Sequence, residues 1–335
     1  LYEYRNKESQ LLPSGASEIR MASPIGVCCE AENGERKEMG KRKLCFSHSD
    51  LQISILNGVF YSRSHGISAA GVADQYADGR AAKVWKVFMG DRNSRTQNYK
   101  DFLIGLLKER GCHRILDIAC GTGVDSIMLL EAGFDVTSVD ASDKMLKYAL
   151  KSRWNRRKDP RFDEWTIEEA NWVTLYDDAK DLLKGGFDAV ICLGNSFAHL
   201  LDSFGDQREQ RQALANFEKC IKPGGLLIID HRNFDFITGS GTTPQKSIYY
   251  NSEHTIDIKT SVLMVSGVSR LVTMDYAIDT SEFRLSYYPH KIEHFKEMLR
   301  EAFGEDVGIT TYGDFQELKD IENPAFYIHV VSKQT

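Results

Sequence analysis

A glycine-rich turn between two regular segments has the residue types of a ligand-binding loop. It spans residues 117–123, DIACGTG, directly after an apolar run and directly before a helical pattern. Glycine at positions 121 and 123 would let the backbone approach a ligand closely at the start of a helix. Asp140 ends the next apolar segment, 17 residues after Gly123. A carboxylate there can accept hydrogen bonds from both hydroxyls of a ribose, so the two motifs together indicate an adenosine-containing ligand.

The same turn discriminates between a dinucleotide and S-adenosylmethionine. Dinucleotide-binding turns carry a third glycine for close helix packing, and this chain has Ser126 at that position. Asp117 lies four residues before Gly121. A carboxylate at that point would repel a pyrophosphate and attract the sulfonium and ammonium groups of S-adenosylmethionine. The charges therefore favour S-adenosylmethionine.

These motifs need a scaffold that brings strand ends together, and the alternating pattern after Gly111 predicts one. Predicted strands lie within 113–123, 134–142, 165–172, 187–200 and 226–233, and predicted helices within 77–90, 96–111, 124–133, 143–157 and 208–225. Ser142 or Asp143 would cap the helix that follows it. Such alternation predicts an α/β fold with a doubly wound parallel sheet and helices on both faces. Ligands bind at the carboxyl ends of the strands in such a sheet.

The C-terminal part of the chain changes character. Segments 246–265 and 269–278 have the pattern of antiparallel strands. We expect a small inserted β subdomain there. A strand at 283–290, a helix at 291–304 and a final strand at 325–332 then return to the main sheet.

Composition excludes several classes of protein. The 335 residues carry a net charge of −6, which disfavours nucleic acid and anionic membranes as partners. The first ten residues lack the apolar stretch of a secretory signal, and no apolar run reaches the ~18 residues that span a bilayer. Seven cysteines without a CxxC pair indicate neither a disulfide framework nor a zinc site. We therefore expect a cytoplasmic protein without a metal.

Long stretches of the chain resemble the glycine N-methyltransferase family, within the class I S-adenosylmethionine-dependent methyltransferases. The turn at 117–123 matches the cofactor motif and Asp140 the ribose-binding acid. Further matching stretches are 74–79, 94–100, 136–151, 167–172, 185–200, 224–233 and 283–290. The resemblance implies methyl transfer from S-adenosylmethionine to glycine, giving sarcosine and S-adenosylhomocysteine. It also implies a homotetramer and reduced folate as an inhibitory ligand between subunits.

The resemblance divides the chain into five parts. Residues 1–57 match nothing and are predicted to be a disordered or artefactual extension. Residues 58–75 would be an N-terminal arm that enters the active-site mouth of a neighbouring subunit. Residues 76–238 would form the S-adenosylmethionine-binding core, 239–280 the antiparallel β subdomain, and 281–335 the return to the core sheet.

The resemblance also assigns residues to the site. The cofactor-binding set is Tyr76, Trp85, Arg95, Ala119, Gly121, Asp140, Met145, Asn171, Trp172, Leu193, Ser196 and His199. The catalytic set is Asn195, Arg232, Tyr76, Tyr250, Tyr276 and Tyr287. Arg95 would bind the methionine carboxylate of the cofactor. Asn171 and Trp172 would contact the edge and the face of adenine.

The chemistry of these residue types fits an amino-acid acceptor. Methyl transfer to an amine is an in-line displacement that depends mainly on positioning of a neutral amine. Arg232 can bind the carboxylate of an amino acid through two hydrogen bonds. Asn195 resembles a further substrate contact, and tyrosine hydroxyls can stabilise a transferring carbon that stays partly positive. His199 could orient Asn195 or a water, or could be a structural histidine, and the sequence leaves both open.

Two positions depart from the family pattern, which has tyrosine where this chain has Phe88 and Phe234. Each change removes one hydrogen bond, an effect of about 1 kcal/mol, so we expect an altered KM and not a lost activity. Two alternatives stay open. One is a methyltransferase for another small amine, such as sarcosine or guanidinoacetate. The other is a folate-binding regulatory protein on the same scaffold.

Overall fold

The computed structural model describes residues 59–61, 82–85, 94–245, 247–251, 256–278 and 281–335. All of them belong to one unit, Ile53–Thr335. The predictions made for residues 1–57, for Tyr76 and for Phe88 lie outside the described residues, as does most of the arm predicted at 58–75.

The strands of the described residues form two separate sheets. They are β1 (Val59–Tyr61), β2 (Arg114–Asp117), β3 (Asp135–Asp140), β4 (Thr166–Glu169), β5 (Phe187–Cys192), β6 (Ile221–Arg232), β7 (Ile256–Val265), β8 (Val268–Ile278), β9 (Ser281–Tyr287), β10 (Gly308–Gly313), β11 (Gln316–Glu317) and β12 (Phe326–Ser332). The main sheet has the order β11-β10-β12-β6-β5-β2-β3-β4, and the small sheet the order β1-β7-β8-β9.

The centre of the main sheet is parallel and its far edge is antiparallel. Strands β6, β5, β2, β3 and β4 pair in parallel with their neighbours. β12 is antiparallel to β6, and β10 is antiparallel to β12. The strand order reverses beside β2, where the connections leave in opposite directions and open a crevice at the carboxyl ends. The prediction of a doubly wound α/β sheet with a small antiparallel β subdomain is confirmed.

Apolar residues on both faces of the main sheet hold it between layers of helices. In β5, Ala189 and Ile191 belong to one core cluster, and Val190 and Cys192 belong to another. Successive side chains of a strand point to opposite faces, so a continuously apolar strand needs cover on both. The helices with both ends in the described residues are α1 (Gln97–Glu109), α2 (Val124–Glu131), α3 (Asp143–Arg156), α4 (Pro160–Asp163), α5 (Leu175–Asp178), α6 (Lys180–Leu183), α7 (Arg208–Cys220), α8 (Phe234–Ser240) and α9 (Ile292–Phe303). Residues 82–85 are also helical.

Side-chain caps start two of the helices that border the crevice. Thr96 precedes α1, and its hydroxyl accepts the N–H of Tyr99 at 3.3 Å. Ser142 precedes α3 and accepts the N–H of Met145 at 3.4 Å. Of the two caps that the sequence allowed, Ser142 is therefore the one used, and Asp143 is the first residue of the helix.

The small sheet includes one strand more than expected, β9, at its C-terminal end. β9 pairs antiparallel with β8, with Tyr276 opposite Phe283. The assignment of this segment to the core sheet, with a boundary at 280/281, is therefore wrong. Only residues 279 and 280 separate β8 from β9, and so short a link allows an antiparallel hairpin but no crossover to another sheet. The chain returns to the main sheet through β10, β11 and β12, of which sequence analysis predicted only the last.

The first antiparallel strand predicted in this region is shorter than expected. β7 begins at Ile256 and not at residue 246. Residues 247–251 contact the start of α1 instead, through an isolated β-bridge between Tyr250 and Arg95. The described residues of the predicted arm, Val59–Tyr61, pair antiparallel with β7 of the same chain.

Candidate active site

A cavity of about 300 Å³ opens at the carboxyl ends of the parallel strands. Its wall contains every predicted site residue within the described part of the chain. These are Trp85, Arg95, Ala119, Gly121, Asp140, Met145, Asn171, Trp172, Leu193, Asn195, Ser196, His199, Arg232, Tyr250, Tyr276 and Tyr287. Residues from both sheets thus meet around one space, which also includes Asp125 and Tyr249.

Glycine is needed at the two positions of the turn for different structural reasons. Both adopt the left-handed conformation, with φ of 55° at Gly121 and 82° at Gly123. A Cβ on Gly123 would lie 2.7 Å from the Trp165 ring, so this glycine is needed for packing against the protein. A Cβ on Gly121 would meet only the end of the Met145 side chain, at 3.0 Å, and Gly121 lines the cavity. The close approach to a ligand is therefore available at Gly121.

Asp140 is held at the turn by backbone donors. Its Oδ2 accepts the N–H of Gly121 at 2.8 Å, and its Oδ1 accepts the N–H of Ser142 at 2.9 Å. A carboxylate oxygen can accept more than one hydrogen bond. The geometry suits the recognition of a ribose.

Asp117 lies behind the turn and not in the cavity wall. Ser126 donates its hydroxyl to Asp117 Oδ2 at 2.6 Å, and Ser138 donates to Ser126 at 2.8 Å. The Trp165 indole N–H donates in turn to Ser138 at 2.8 Å. Ser126 occupies the position of the third glycine of a dinucleotide motif, and its hydroxyl connects Asp117 to Ser138. Burial raises the pKa of Asp117 to about 7.

A buried ion pair faces the cavity beside the turn. Arg95 contacts Asp125 at 2.7 Å between Nη2 and Oδ2, and the guanidinium lies 5.3 Å from the centre of the Tyr250 ring. Arg95 Nε and Asp125 Oδ1 are buried without a hydrogen-bond partner. One unsatisfied donor and one unsatisfied acceptor side by side match the carboxylate and the ammonium of an amino-acid group.

Trp172 is fixed in position at the end of β4. Its indole N–H donates to the carbonyl of Ile118 at 2.7 Å, and its ring stacks with Phe197 at 5.8 Å between centres. Asn171 lies beside it, and its Oδ1 accepts the N–H of Val173 at 2.9 Å. The pair lies close to Asp140, whose carbonyl accepts the N–H of Ala170 at 3.2 Å. An aromatic face and an amide thus adjoin Asp140.

Asn195 and Arg232 supply two buried donors at the ends of β5 and β6. Asn195 Oδ1 accepts the backbone N–H of Arg232 at 2.9 Å, so Nδ2 is the end of the amide available to a ligand. That Nδ2 and Arg232 Nη1 are both buried without a hydrogen-bond partner. Two such donors, one of them cationic, suit a carboxylate. An unpaired buried donor is costly, so a ligand that satisfies both gains binding energy.

Tyrosines from the small sheet complete this end of the cavity. The hydroxyls of Tyr276 and Tyr287 lie 2.7 Å apart, and the Trp85 ring packs edge-on against Tyr276 at 5.5 Å. His199 lies against the Tyr287 ring at 4.6 Å between centres. Burial lowers the pKa of His199 to about 4, so the ring is neutral at pH 7.

Comparison with known proteins places this geometry in a family. A model described as a methyltransferase domain matches residues 116–227. Glycine N-methyltransferase of Rattus norvegicus is 55% identical over 294 residues, which cover 83% of this chain and 99% of the relative. The human enzyme is 54% identical over 293 residues, with the same coverage. The chain belongs to the glycine N-methyltransferase family. The predicted resemblance is thus confirmed.

More distant proteins are similar to this chain in sequence or in fold. A glycine/sarcosine N-methyltransferase of Parasynechococcus marenigrum is 38% identical over 254 residues, or 73% of this chain and 80% of the relative. An S-adenosylmethionine-dependent methyltransferase from Clostridium acetobutylicum has a similar fold, with a TM-score of 0.55 and 15% identity. It covers 77% of this chain, and 99% of its own chain is matched.

Three residues that organise the site in this glycine N-methyltransferase family member were not predicted from the sequence. Asp125 pairs with Arg95, and Tyr249 and Asp230 are joined behind Asn195. Asp125 carries a detectable signal, because an acidic residue in the first turn of α2 lies next to the glycine turn. Asp230 and Tyr249 carry none, since their contact joins residues that are 19 positions apart.

Phe234, one of the two departures from the family pattern, does not line the cavity. It is fully buried at the start of α8, and its ring centre lies 6.4 Å from that of Tyr287. Within the described ranges, no group of three or more His, Cys, Asp or Glu side chains could hold a metal ion.

Proposed function

We propose that the protein transfers the methyl group of S-adenosylmethionine to the amino group of glycine, giving sarcosine and S-adenosylhomocysteine. The observation that carries the proposal is the pair of unsatisfied buried donors, Asn195 Nδ2 and Arg232 Nη1. They line the same cavity as Asp140 and the Arg95–Asp125 pair. The part of the wall with Asn195 and Arg232 thus fits a carboxylate. The part with Asp140 and the Arg95–Asp125 pair fits a nucleoside that carries an amino-acid group.

The residues present fit S-adenosylmethionine. Asp140 would accept the ribose hydroxyls, and Asn171 with Trp172 would bind the adenine. Arg95 Nε and Asp125 Oδ1 would satisfy the carboxylate and ammonium of the methionine part, which removes two unpaired buried atoms. Gly121 leaves room for the ligand beside the turn. The cofactor supplies an electrophilic methyl group on a sulfonium.

The acceptor would be held by its carboxylate. Arg232 and Asn195 donate to the two carboxylate oxygens and so fix the direction of the amine. Holding both reactants in one geometry can lower the barrier by several kcal/mol, and the amine needs only to be neutral. Tyr250, Tyr276 and Tyr287 direct oxygen atoms or ring faces at the reacting centre, where they stabilise positive charge on the transferring carbon. Neutral His199 adds no cation beside it.

The assembly and its regulation are part of the same proposal. Family membership supports a homotetramer, an arm at 58–75 that reaches a neighbouring active site, and reduced folate as an inhibitory ligand. We place the enzyme in the cytoplasm. None of the helices in the described segments has the length and apolarity that a membrane span requires.

Sarcosine is a second candidate acceptor, because relatives at 36–38% identity are named glycine/sarcosine N-methyltransferases. The test is an acceptor series with glycine, sarcosine and guanidinoacetate under equal conditions. We expect glycine to give the highest kcat/KM, with sarcosine as the accumulated product. Methylation of another amine in preference to glycine would overturn the proposal. Folate binding without S-adenosylmethionine binding in calorimetry would indicate the regulatory alternative.

A further inference from the structure

Asp230 is a buried carboxylate behind the substrate end of the cavity. It has no exposed surface, and it lies near the end of β6, two residues before Arg232. Its Oδ1 accepts the backbone N–H of Asn195 at 2.8 Å, and its Oδ2 accepts the hydroxyl of Tyr249 at 2.5 Å. Neither Asp230 nor these two bonds belong to the steps described above.

The bond from Asp230 constrains an unusual backbone conformation. Asn195 has φ of 64°, in the left-handed region that non-glycine residues seldom adopt. The Asp230 oxygen that accepts its N–H stabilises this conformation. The Asn195 side chain then accepts the backbone N–H of Arg232 at 2.9 Å. The contacts close a ring that runs from Asp230 through Asn195 to Arg232 and back along β6, so the two donors move as one unit.

Tyr249 ties this ring to the cofactor end of the cavity. Its carbonyl accepts the N–H of Thr96 at 3.0 Å, and the next residue, Tyr250, bridges to Arg95. Its ring packs edge-on against Tyr99 at 4.9 Å between centres. The Tyr249 hydroxyl is therefore the link between the segment that holds Arg95 and the carboxylate that holds Asn195.

We propose that Tyr249 and Asp230 are positioning residues, which hold the donors of Asn195 and Arg232 in the geometry that binds the carboxylate of the acceptor. The inference rests on the proposed function. Without the hydroxyl of Tyr249, Asp230 loses one of the hydrogen bonds that it accepts, and the ring can shift. The consequence is weaker binding of the acceptor and less accurate alignment of its amine, with the cofactor contacts unchanged.

The test compares Tyr249→Phe with Tyr99→Phe. Both changes remove one hydroxyl from the same buried aromatic cluster, but the Tyr99 hydroxyl has no hydrogen-bond partner. We expect Tyr249→Phe to raise the KM for glycine about tenfold and to lower kcat, with the Kd for S-adenosylmethionine within twofold of wild type. Tyr99→Phe should leave all three values within twofold. Thermal unfolding of both variants identifies a loss of fold.

Calorimetry keeps this test separate from the test of the reaction. Glycine is titrated into each protein saturated with S-adenosylhomocysteine, which requires no turnover. A wild type that binds glycine but does not methylate it would contradict the proposed function alone, and the ratio of the two variants would still decide the positioning role. Equal glycine affinity in the two variants would overturn that role. A loss of S-adenosylmethionine affinity in Tyr249→Phe as large as its loss of glycine affinity would also overturn that role. A wild-type protein that binds no glycine would do the same.

Discussion

The two donors that we propose for the acceptor differ in what they contribute. Asn195 donates from a neutral amide whose other end is fixed by Arg232 N–H, whereas Arg232 adds a positive charge and a planar fork. A carboxylate gains most from the charged, bidentate partner. At the scale of single residues, we therefore expect the specificity for an amino acid to depend chiefly on Arg232.

Arg232→Lys keeps the charge and loses the fork. We expect kcat/KM for glycine to fall at least 100-fold, because a lysine cannot hold the carboxylate in the same orientation. The Kd for S-adenosylmethionine, measured by calorimetry, should stay within twofold.

Arg156→Lys is the matched control, since Arg156 pairs with Glu131 away from the cavity. It should leave both the Kd and the kcat/KM unchanged. Equal losses of cofactor affinity and turnover in Arg232→Lys would mean that Arg232 supports the cofactor or the fold.

Asp117 makes stability depend on pH. Burial raises its pKa to about 7, whereas an unfolded aspartate titrates near 4. The native protein thus holds a proton that the unfolded chain releases. This contribution to stability is complete below about pH 4 and is lost as the pH rises through about 7. Asp117→Asn is neutral at every pH and retains an acceptor for Ser126, so it should unfold at a higher temperature than wild type at pH 8. The difference should vanish toward pH 4.5.

Asp188 provides a control of opposite sign. Although it is partly buried, its bonds with Lys222 and with the N–H of Arg114 lower its pKa. Its stabilisation is present above the unfolded pKa and is lost as the pH falls, so Asp188→Asn should be less stable than wild type at pH 8. Unfolding temperatures of the unliganded proteins at both pH values check both variants. An Asp117→Asn variant that unfolds at a lower temperature than wild type at pH 8 would contradict the prediction that buried Asp117 holds a proton in the native state.

At the scale of elements, α2 has a glycine just before its start and another just after its end, and they differ in how much stability depends on them. Gly123→Ala places a Cβ 2.7 Å from the Trp165 ring and also strains a residue with φ of 82°. Gly133→Ala strains a residue with φ of 94° but meets no atom within 4 Å. Both changes carry the cost of a left-handed alanine, about 1–2 kcal/mol. Gly123→Ala should lose about 1–3 kcal/mol more, because overpacking adds to strain.

Urea denaturation of the two alanine variants measures the difference in the free energy of unfolding. Only Gly123→Ala should also weaken S-adenosylmethionine binding, since its clash displaces the turn that carries Gly121. Equal losses of stability in the two variants would show that the Trp165 ring does not exclude a Cβ at position 123.

Elements with strong periodicity could be predicted from the sequence, and elements fixed by distant partners could not. The five parallel strands and α3 with its Ser142 cap follow from local patterns. β9 has the same alternation as a core strand, and only its pairing with β8 places it in the small sheet. β10 is a half-exposed strand near the edge, without a continuous apolar run. Local sequence therefore identifies strands more readily than it assigns them to a sheet.

The same distinction holds for the site. The glycine turn and the strand ends predicted that Gly121 and Asp140 would meet at one edge of the sheet, because parallel strands bring their carboxyl ends together there. The family resemblance assigned most of the other residues of the cavity wall. Asp230 lies behind the wall and bonds to Asn195 and to Tyr249, which itself lines the cavity, and these contacts form only in the folded chain. The direction of the Asn195 amide is likewise set by a bond across 37 positions.

At the scale of the whole molecule, the described residues belong to the unit Ile53–Thr335, and the mammalian relatives match 83% of the chain. We expect removal of residues 1–57 to leave folding, assembly and glycine methylation unchanged. Unfolding temperature, oligomer size by light scattering and kcat/KM, measured beside the full chain, check this. Loss of activity or of assembly would show that the N-terminal extension has a function in the enzyme.

The most direct test of the account is transfer of a ¹³C-labelled methyl group from S-adenosylmethionine to glycine by the purified full chain, followed by NMR of the products. We predict that labelled sarcosine and S-adenosylhomocysteine form in equal amounts, and that Arg232→Lys forms little of either. A wild-type protein that leaves glycine unlabelled would contradict the account.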